Sequence, residues 1–141
     1  MSLYVLDTDM LTLFEKTHKA VVARVQDHDP RELAITVLSV EEQLSGWYTA
    51  IRKAKRAEQL ARAYRELARS VRFLSHLQII DYDEAAIDRY EQLRKQKVKI
   101  RRMDLRIAAC LLGRPAAILV TRNVRDFKAF GVAVVNPFAA T

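Results

Sequence analysis

The chain has 141 residues, 50% of them hydrophobic, which is enough for one domain with a full core and too short for two. We therefore expect a single domain over residues 1–141. Its 24 Lys and Arg against 17 Asp and Glu give a formal net charge of +7. That charge favours a polyanionic partner but does not distinguish RNA, DNA, an acidic protein or an anionic membrane.

The sequence shows no sign of export or of a disulfide framework. No apolar run approaches membrane-spanning length, and the first residues lack the pattern of a secretory signal peptide, so neither membrane insertion nor secretion is expected. The single cysteine, Cys110, excludes an internal disulfide. Its apolar helical surroundings favour a small core residue over a nucleophile, in agreement with a cytoplasmic location.

The first part of the chain predicts two strands, each followed by helix. Leu3–Leu6 is a short apolar run typical of a buried parallel strand. The Asp-Thr-Asp turn after it can cap a helix, and a helical turn is predicted over Asp9–Glu15. A helix over Ala20–His28 is predicted to end at an Asp-Pro pair, and the β-branched run Leu33–Leu38 predicts the second strand.

Two helices are predicted next. Ser39 is the expected N-cap of the first, and Glu42, three residues later, completes a capping-box pattern. Apolar side chains at helical spacing continue through Val40–Ile51 and along Arg56–His76. The basic residues of the second helix form either a solvated face or a binding surface.

The next segments lead towards an acidic position. Leu77–Tyr82 is a third apolar segment, and a helix is predicted over Glu84–Lys97. The run Arg94–Arg102 contains six basic residues and no acid, which favours contact with a phosphate backbone. It continues into Asp104–Leu112, a predicted helix that a glycine and a proline end.

The last elements complete an alternating pattern. Ile118–Val120 is predicted as a strand, Thr121–Asp126 as its exit loop and Val132–Val135 as a final strand before Pro137. Because strands alternate with helices throughout, the expected class is α/β with a mainly parallel sheet.

Acidic side chains follow the predicted strands or begin the helices next to them. They are Asp7, Asp9, Glu42, Asp104 and Asp126. Since the carboxyl ends of parallel strands share one edge, these residues are expected to converge there. Crowded carboxylates repel one another unless a cation neutralises them. Oxygen ligands without clustered His or Cys favour Mg²⁺ or Mn²⁺.

Most of these acids also have a purely structural interpretation. Asp104 is a common type of helix cap, and Glu42 is also the reciprocal half of a capping box. Asp9 is also a turn or capping residue, and Asp126 a surface acid. Asp7 is harder to explain in this way, because a charge that ends an apolar strand needs solvent, a partner or a metal.

Four short motifs occur in a fixed order along almost the whole chain. They are Val-Leu-Asp7-Thr-Asp9, Ser39-Val-Glu-Glu42-Gln-Leu-Ser-Gly46, Met103-Asp104-Leu-Arg-Ile-Ala-Ala and Leu119-Val-Thr121-Arg-Asn123-Val-Arg-Asp126-Phe127. In this order and at these separations, the motifs resemble the PIN-domain ribonucleases, especially the VapC-like toxins of type II toxin–antitoxin pairs. The resemblance implies a three-layer α/β/α fold with a mainly parallel central sheet.

The resemblance also implies a set of metal-binding acids. Asp7 resembles the first, Glu42 the second and Asp104 the third. Glu42 is preferred to Glu41 because the family's acid lies four residues before a glycine, here Gly46, a spacing that keeps both on one helix face. Glu41 would point about 100° away.

Two positions in the last motif extend this set. The fourth acidic position is filled either by Asn123, where many relatives have Asp, or by Asp126. Thr121 resembles the family's hydroxyl at the strand end, which binds a carboxylate or the scissile phosphate.

By resemblance, the implied activity is Mg²⁺- or Mn²⁺-dependent hydrolysis of RNA phosphodiester bonds. The implied partners are a cognate antitoxin and a second copy of the chain in a homodimer, which would bind the apolar stripes of the helices over Val40–Ile51 and Arg56–His76.

Two other functions remain open from the sequence. One is a catalytically inactive basic module of the same fold that binds RNA or protein. The other is a haloacid-dehalogenase-like phosphotransferase with Asp7 as its nucleophile. The second is disfavoured because Met10 and Leu11 follow the Asp-Thr-Asp turn, where those enzymes usually have Gly-Thr or a similar turn.

Overall fold

The computed structural model describes residues 2–16, 19, 22, 23, 27–96 and 99–136. The strands in these ranges are Leu3–Leu6 (β1), Leu33–Thr36 (β2), Gln78–Ile80 (β3), Ala117–Val120 (β4) and Val134–Val135 (β5). The α-helices are Thr8–Glu15 (α1), Val37–Lys53 (α2), Ala57–Leu74 (α3), Glu84–Arg94 (α4), Arg102–Leu112 (α5) and Val124–Lys128 (α6). A 3-10 turn covers Pro30–Glu32.

The strands form one parallel sheet in the order β3-β2-β1-β4-β5. The apolar run of β1 lies at the centre, where Val5 pairs with Ala34 of β2 and with Leu119 of β4. Chain order departs from spatial order at β1, which is where open parallel sheets form a crevice beyond the carboxyl ends of their strands. The predicted α/β class with a mainly parallel sheet is confirmed.

Helices cover both faces of the sheet. Because successive side chains of a strand point to opposite faces, Val5 packs in a cluster with α4 and α5, while Leu6 packs in a second cluster with α1, Val40 and Leu74. The same alternation separates Leu119 from Val120. This arrangement is the expected three-layer α/β/α architecture.

The boundary between β2 and α2 differs from the prediction. The strand ends at Thr36, whose hydroxyl accepts a hydrogen bond from the backbone N–H of Ser39 at 3.4 Å, so Thr36 is the N-cap. The predicted N-cap at Ser39 and its capping box with Glu42 were therefore wrong. Val37 and Leu38 belong to the helix, and Leu38 is buried in the core. Their β-branched and apolar character extended the predicted strand too far.

Other predicted boundaries shift by a few residues. The final strand is limited to Val134–Val135. The predicted exit loop includes a short helix, α6, which contains Asp126. In the segment predicted as a helix over Ala20–His28, residues 22 and 23 are helical and 27 and 28 form a turn and a bend, while 20, 21 and 24–26 lie outside the described residues. Lys97, the predicted end of a helix, and Pro137 also lie outside the described residues. Within the described ranges, no helix is long and apolar enough to cross a membrane.

The expectation that Cys110 is a core residue leads to a test of the fold. Cys110 is 2% exposed in α5, and burial raises the pKa of its thiol to about 11. Because the thiolate is the reactive form, we expect the folded protein to resist Ellman's reagent at mildly alkaline pH and to react fully in denaturant. Free glutathione provides the reference rate. A thiol that reacts at the glutathione rate in the folded protein would contradict this packing.

Candidate active site

The carboxyl ends of the central strands open into a cavity of about 530 Å³. All the acids singled out in the sequence line it: Asp7, Asp9, Glu42, Asp104 and Asp126. Asn123 lines it as well, and its basic side chains are Lys99, Arg101 and Arg122. The acids come from segments far apart in sequence, and the parallel sheet brings them together because its strands end at one edge.

Asp7 is the most tightly held acid. It follows β1 and caps α1, with Oδ1 accepting a hydrogen bond from the backbone N–H of Met10 at 2.8 Å. Its Oδ2 accepts a hydrogen bond from the hydroxyl of Thr121 at 2.6 Å. Asp7 is only 8% exposed, and burial raises its pKa, with repulsion from Asp9 and Asp104 acting in the same direction. The two hydrogen bonds oppose this rise because they favour the ionised carboxylate.

Thr121 lies just beyond β4 and is completely buried. Its hydroxyl donates to Asp7 and accepts a hydrogen bond from the backbone N–H of Asn123 at 2.9 Å. The hydroxyl group is therefore fixed from both sides. Thr121 acts on Asp7 as a positioning residue beneath the cavity.

Glu42 is held by the hydroxyl of Thr8, which is itself in contact with the hydroxyl of Ser39; the sequence analysis predicted neither contact. The hydroxyl of Thr8 donates a hydrogen bond to Oε1 of Glu42 at 2.7 Å. Since a threonine hydroxyl has one hydrogen, the hydroxyl of Ser39 is the donor in its 3.0 Å contact with Thr8. One available signal was the three-residue spacing of Ser39 and Glu42, which places both on one face of α2. The other was the position of Thr8 between two acids.

Glu42 faces the cavity, whereas Glu41 is exposed elsewhere on α2. Gly46 lines a smaller cavity beside Glu42, on the same face of the helix. A Cβ atom added at Gly46 would meet no other atom within 4 Å, so close packing does not require a glycine there.

Asp104 lies in the first turn of α5 but does not cap the helix. The N-cap position is Arg101, which makes no side-chain capping bond, and Asp104 is the third residue of the helix. Burial raises the pKa of Asp104, the hydrogen bond and charge of Arg101 lower it, and repulsion from Glu42 and Asp126 raises it. Three acids of the cavity therefore affect one another electrostatically.

Two arginines neutralise part of this negative charge. One guanidinium nitrogen of Arg101 lies 3.3 Å from Oε2 of Glu42 and 3.4 Å from Oδ1 of Asp104. Arg122 binds Asp9 through two guanidinium nitrogens, and its Nε lies 2.9 Å from Oδ2. The sequence placed Arg101 in a basic run three residues before Asp104, but it gave no sign of the contact with Glu42, because that contact depends on how α2 and α5 pack.

The two candidates for a fourth acidic position both lie at the cavity. Asn123 is the N-cap residue of α6 by position and makes no side-chain capping bond, and Asp126 lies one turn into that helix. Asp126 raises the pKa of Asp104 by charge repulsion, an effect that a neutral Asn cannot have. Both remain candidates for this position.

The donor set suits a hard divalent cation, but it is not assembled around one. Within the described part of the chain, no three His, Cys, Asp or Glu side chains are grouped closely enough to hold a metal ion. Carboxylate oxygens are the ligands that Mg²⁺ and Mn²⁺ prefer. Here the oxygens of Glu42 and Asp104 pair with Arg101. These residues fit a cation on condition that Arg101 leaves them.

No protein-family model matches the chain, and no curated protein matches it. Solved structures do match. A chain of FitAcB from Neisseria gonorrhoeae has a TM-score of 0.76 and 22% identity, covering 98% of this chain and 100% of that one. A chain of DNA-bound VapBC from Salmonella typhimurium has a TM-score of 0.77 and 24% identity, covering 97% and 99%.

VapBC-1 from nontypeable Haemophilus influenzae matches as well, with a TM-score of 0.71, 21% identity and coverage of 97% of this chain and 99% of that one. At these identities the likeness shows the fold. The chain therefore has the PIN-like three-layer α/β/α fold found in structures of VapBC and FitAB complexes, as its resemblance to VapC-like PIN domains implied.

Proposed function

We propose that the protein is a Mg²⁺- or Mn²⁺-dependent endoribonuclease and the toxin of a toxin–antitoxin pair. The observation that carries this proposal is the convergence of Asp7, Glu42 and Asp104 in one cavity at the carboxyl edge of the sheet. The fold shared with chains of VapBC and FitAB structures supports it. The choice of RNA over DNA rests on the resemblance of the motifs to PIN-domain ribonucleases.

Asp7, Glu42 and Asp104 would hold the cation, with Asp126 or Asn123 at the fourth position. When bound, Mg²⁺ or Mn²⁺ lowers the pKa of water and polarises a phosphoryl oxygen, which is the chemistry that phosphodiester hydrolysis needs. The chain supplies the oxygen donors, and the hydrogen bonds of Asp7 and the guanidinium of Arg101 beside Asp104 lower the pKa of these two acids against the effect of burial.

Supporting residues keep the carboxylates in place. Thr121 and the N–H of Met10 fix both oxygens of Asp7, so this carboxylate cannot rotate without losing a hydrogen bond. Thr8 holds one oxygen of Glu42 and leaves the other directed to Arg101. Preorganisation of this kind lowers the cost of assembling the acids around a substrate.

Basic side chains beside the acids would bind the RNA backbone. Lys99 and Arg122 lie at the same cavity as the carboxylates. The net charge of +7 adds long-range attraction for a polyanion. Because phosphate contacts release counterions, RNA affinity should fall steeply as salt increases.

An antitoxin segment would fit a groove of about 660 Å³ between α1, α2 and α3. Trp47, Ala50 and Ala63 contribute apolar surface to it, and the indole N–H of Trp47 is buried with no hydrogen-bond partner among the described residues. Thr12 lines both this groove and the acidic cavity, so a segment in the groove would reach the acids. The structural neighbours are VapBC and FitAB complexes, which supports a partner of this kind.

A homodimer would cover the apolar side chains that α3 exposes. Leu60, Tyr64 and Val71 recur along one face of the helix, and Tyr64 is 54% exposed. Large exposed apolar side chains in such a row are typical of protein–protein contacts.

Substitution of single acids tests the proposed site. We expect Asp7→Asn, Glu42→Gln and Asp104→Asn each to lower RNA cleavage at least about 100-fold, because each change removes a charged donor from the centre of the cavity. Glu41→Gln is the matched control, since it makes the same chemical change one residue away on an exposed part of α2. Circular dichroism checks folding. Equal loss in Glu41→Gln would show that the wrong glutamate was chosen.

The activity itself is tested with the purified protein, free of any antitoxin, and a mixed pool of cellular RNA. We expect fragments to form with Mg²⁺ or Mn²⁺ and none with EDTA. The proposal would be contradicted if the folded protein bound the RNA in the presence of each metal ion tested but cleaved none of it. That result would favour an inactive binding module.

Burial of the acids predicts how the pH affects the metal-free protein. Burial raises the pKa of Asp7 above its ordinary value of 3.8, so the folded state binds this proton more tightly than the unfolded state. The resulting stability is complete below that ordinary value and is lost as pH rises through the raised pKa. Asp7→Asn cannot ionise, and its amide oxygen can still accept the hydrogen bond of Met10.

We therefore compare the melting temperatures of Asp7→Asn and wild type in EDTA. The value for Asp7→Asn minus that for wild type should be about 3 °C larger at neutral pH than at acidic pH. Differential scanning fluorimetry measures this difference, and Glu41→Gln should show none. A difference that shrinks as pH rises would show that the hydrogen bonds of Asp7, and not its burial, dominate.

A further inference from the structure

Arg101 occupies the position where a cation would neutralise the acids. It precedes α5, and its guanidinium reaches across to α2, so that one nitrogen contacts Glu42 and Asp104 at 3.3 and 3.4 Å. The acid side chains are largely enclosed, with 22% and 15% exposure, while the Arg101 side chain is 63% exposed. An exposed side chain thus ends on two partly buried carboxylates.

Breaking the contacts of Arg101 with Glu42 and Asp104 costs little free energy. Arg101 makes no capping bond to its own helix, so its release leaves α5 intact. Exposed ion pairs contribute little individually, and neither distance is as short as that of a strong charge-assisted hydrogen bond. The acids, by contrast, are less stable without a positive charge beside them, because Glu42 and Asp126 repel Asp104.

We propose that Arg101 is a built-in counter-ion of the acidic cavity, which a divalent cation must displace from Glu42 and Asp104 in order to bind. This inference rests on the proposed metal-dependent function and assigns a regulatory role at the same site. Two positive groups that approach the same carboxylate oxygens repel each other, so the cation and the guanidinium compete. Arg101 stabilises the metal-free protein and lowers its affinity for metal.

The oxygens of Glu42 and Asp104 that face each other are directed to the guanidinium nitrogen between them. Removal of Arg101 therefore frees one oxygen of each acid at once. The remaining oxygen of Glu42 is still held by Thr8, so the glutamate keeps its position.

The test is the affinity of the full-length protein for Mn²⁺, measured by isothermal titration calorimetry without RNA. We expect Arg101→Ala to bind Mn²⁺ about three- to tenfold more tightly than wild type, because two weak ion pairs no longer have to be broken. Arg101→Lys keeps the charge but lacks the forked guanidinium, and should lie between the two. In EDTA, Arg101→Ala should melt below wild type and gain more from added Mn²⁺.

Arg102→Ala is the matched control, since it removes the same charge from an exposed neighbour that makes none of the described contacts with Glu42 or Asp104. Its Mn²⁺ affinity should stay within about twofold of wild type, because only a screened long-range effect is lost. Equal gains in Arg101→Ala and Arg102→Ala would overturn the proposal, since net charge alone would then explain them. Unchanged or weaker affinity in Arg101→Ala would also overturn it.

The outcomes separate this inference from the proposed function. Wild-type protein that binds Mn²⁺, with Arg101→Ala unchanged, refutes the counter-ion and leaves the metal-dependent nuclease standing. Failure of wild type and Arg101→Ala alike to bind Mn²⁺ refutes both.

Discussion

Several acidic side chains meet at one edge of the parallel sheet, where their negative charges repel one another. The structure depends on how these charges are neutralised. Asp7 illustrates this dependence most clearly, because the chain leaves the centre of the sheet at a nearly buried carboxylate. A buried charge is tolerated only with hydrogen bonds or an opposite charge close by. Met10 and Thr121 supply the hydrogen bonds, and Thr121 comes from the neighbouring strand. The packing of β1 beside β4 therefore positions Asp7 as well as forming the core.

Three further acids of the cavity are paired with arginines. Arg122 binds Asp9, and Arg101 bridges Glu42 and Asp104. Both arginine side chains are more than half exposed, with 63% for Arg101 and 53% for Arg122, so solvent weakens these pairs. A sheet that holds the acids beneath solvent-exposed arginines suits the proposed site, which would accept a cation and a phosphate.

Much of the fold follows from local sequence signals. The apolar run of β1 and the helix-ending glycine after α5 are short-range features, and the structure agrees with both. The prediction failed at the start of α2, where Val37 and Leu38 resemble strand residues and the cap at Thr36 depends on a single hydroxyl. Where β-branched residues continue across a boundary, propensity alone cannot locate the end of a strand.

The sequence predicted which acids line the candidate site, but it did not predict which side chains contact them. Asp7 and Asp104 follow from a strand end and a helix start, because sheet topology brings such positions together. Glu42 lies in the second turn of α2, and its spacing to Gly46 distinguished it from Glu41. The contact of Arg101 with Asp104 joins residues only three positions apart. The contacts of Thr8 and of Arg101 with Glu42, in contrast, depend on side-chain reach between packed segments, which no spacing in the sequence encodes. For that reason the sequence indicated a metal site, whereas the structure shows a guanidinium between two of its acids.

We propose above all that Asp7, Glu42 and Asp104 form one cation site. Anomalous diffraction from crystals soaked in Mn²⁺ tests it most directly. We expect an anomalous peak in contact with carboxylate oxygens of all three residues, with the Arg101 guanidinium moved away from Glu42. A cavity without a peak, and with Arg101 still paired to Glu42 and Asp104 at saturating Mn²⁺, would contradict it.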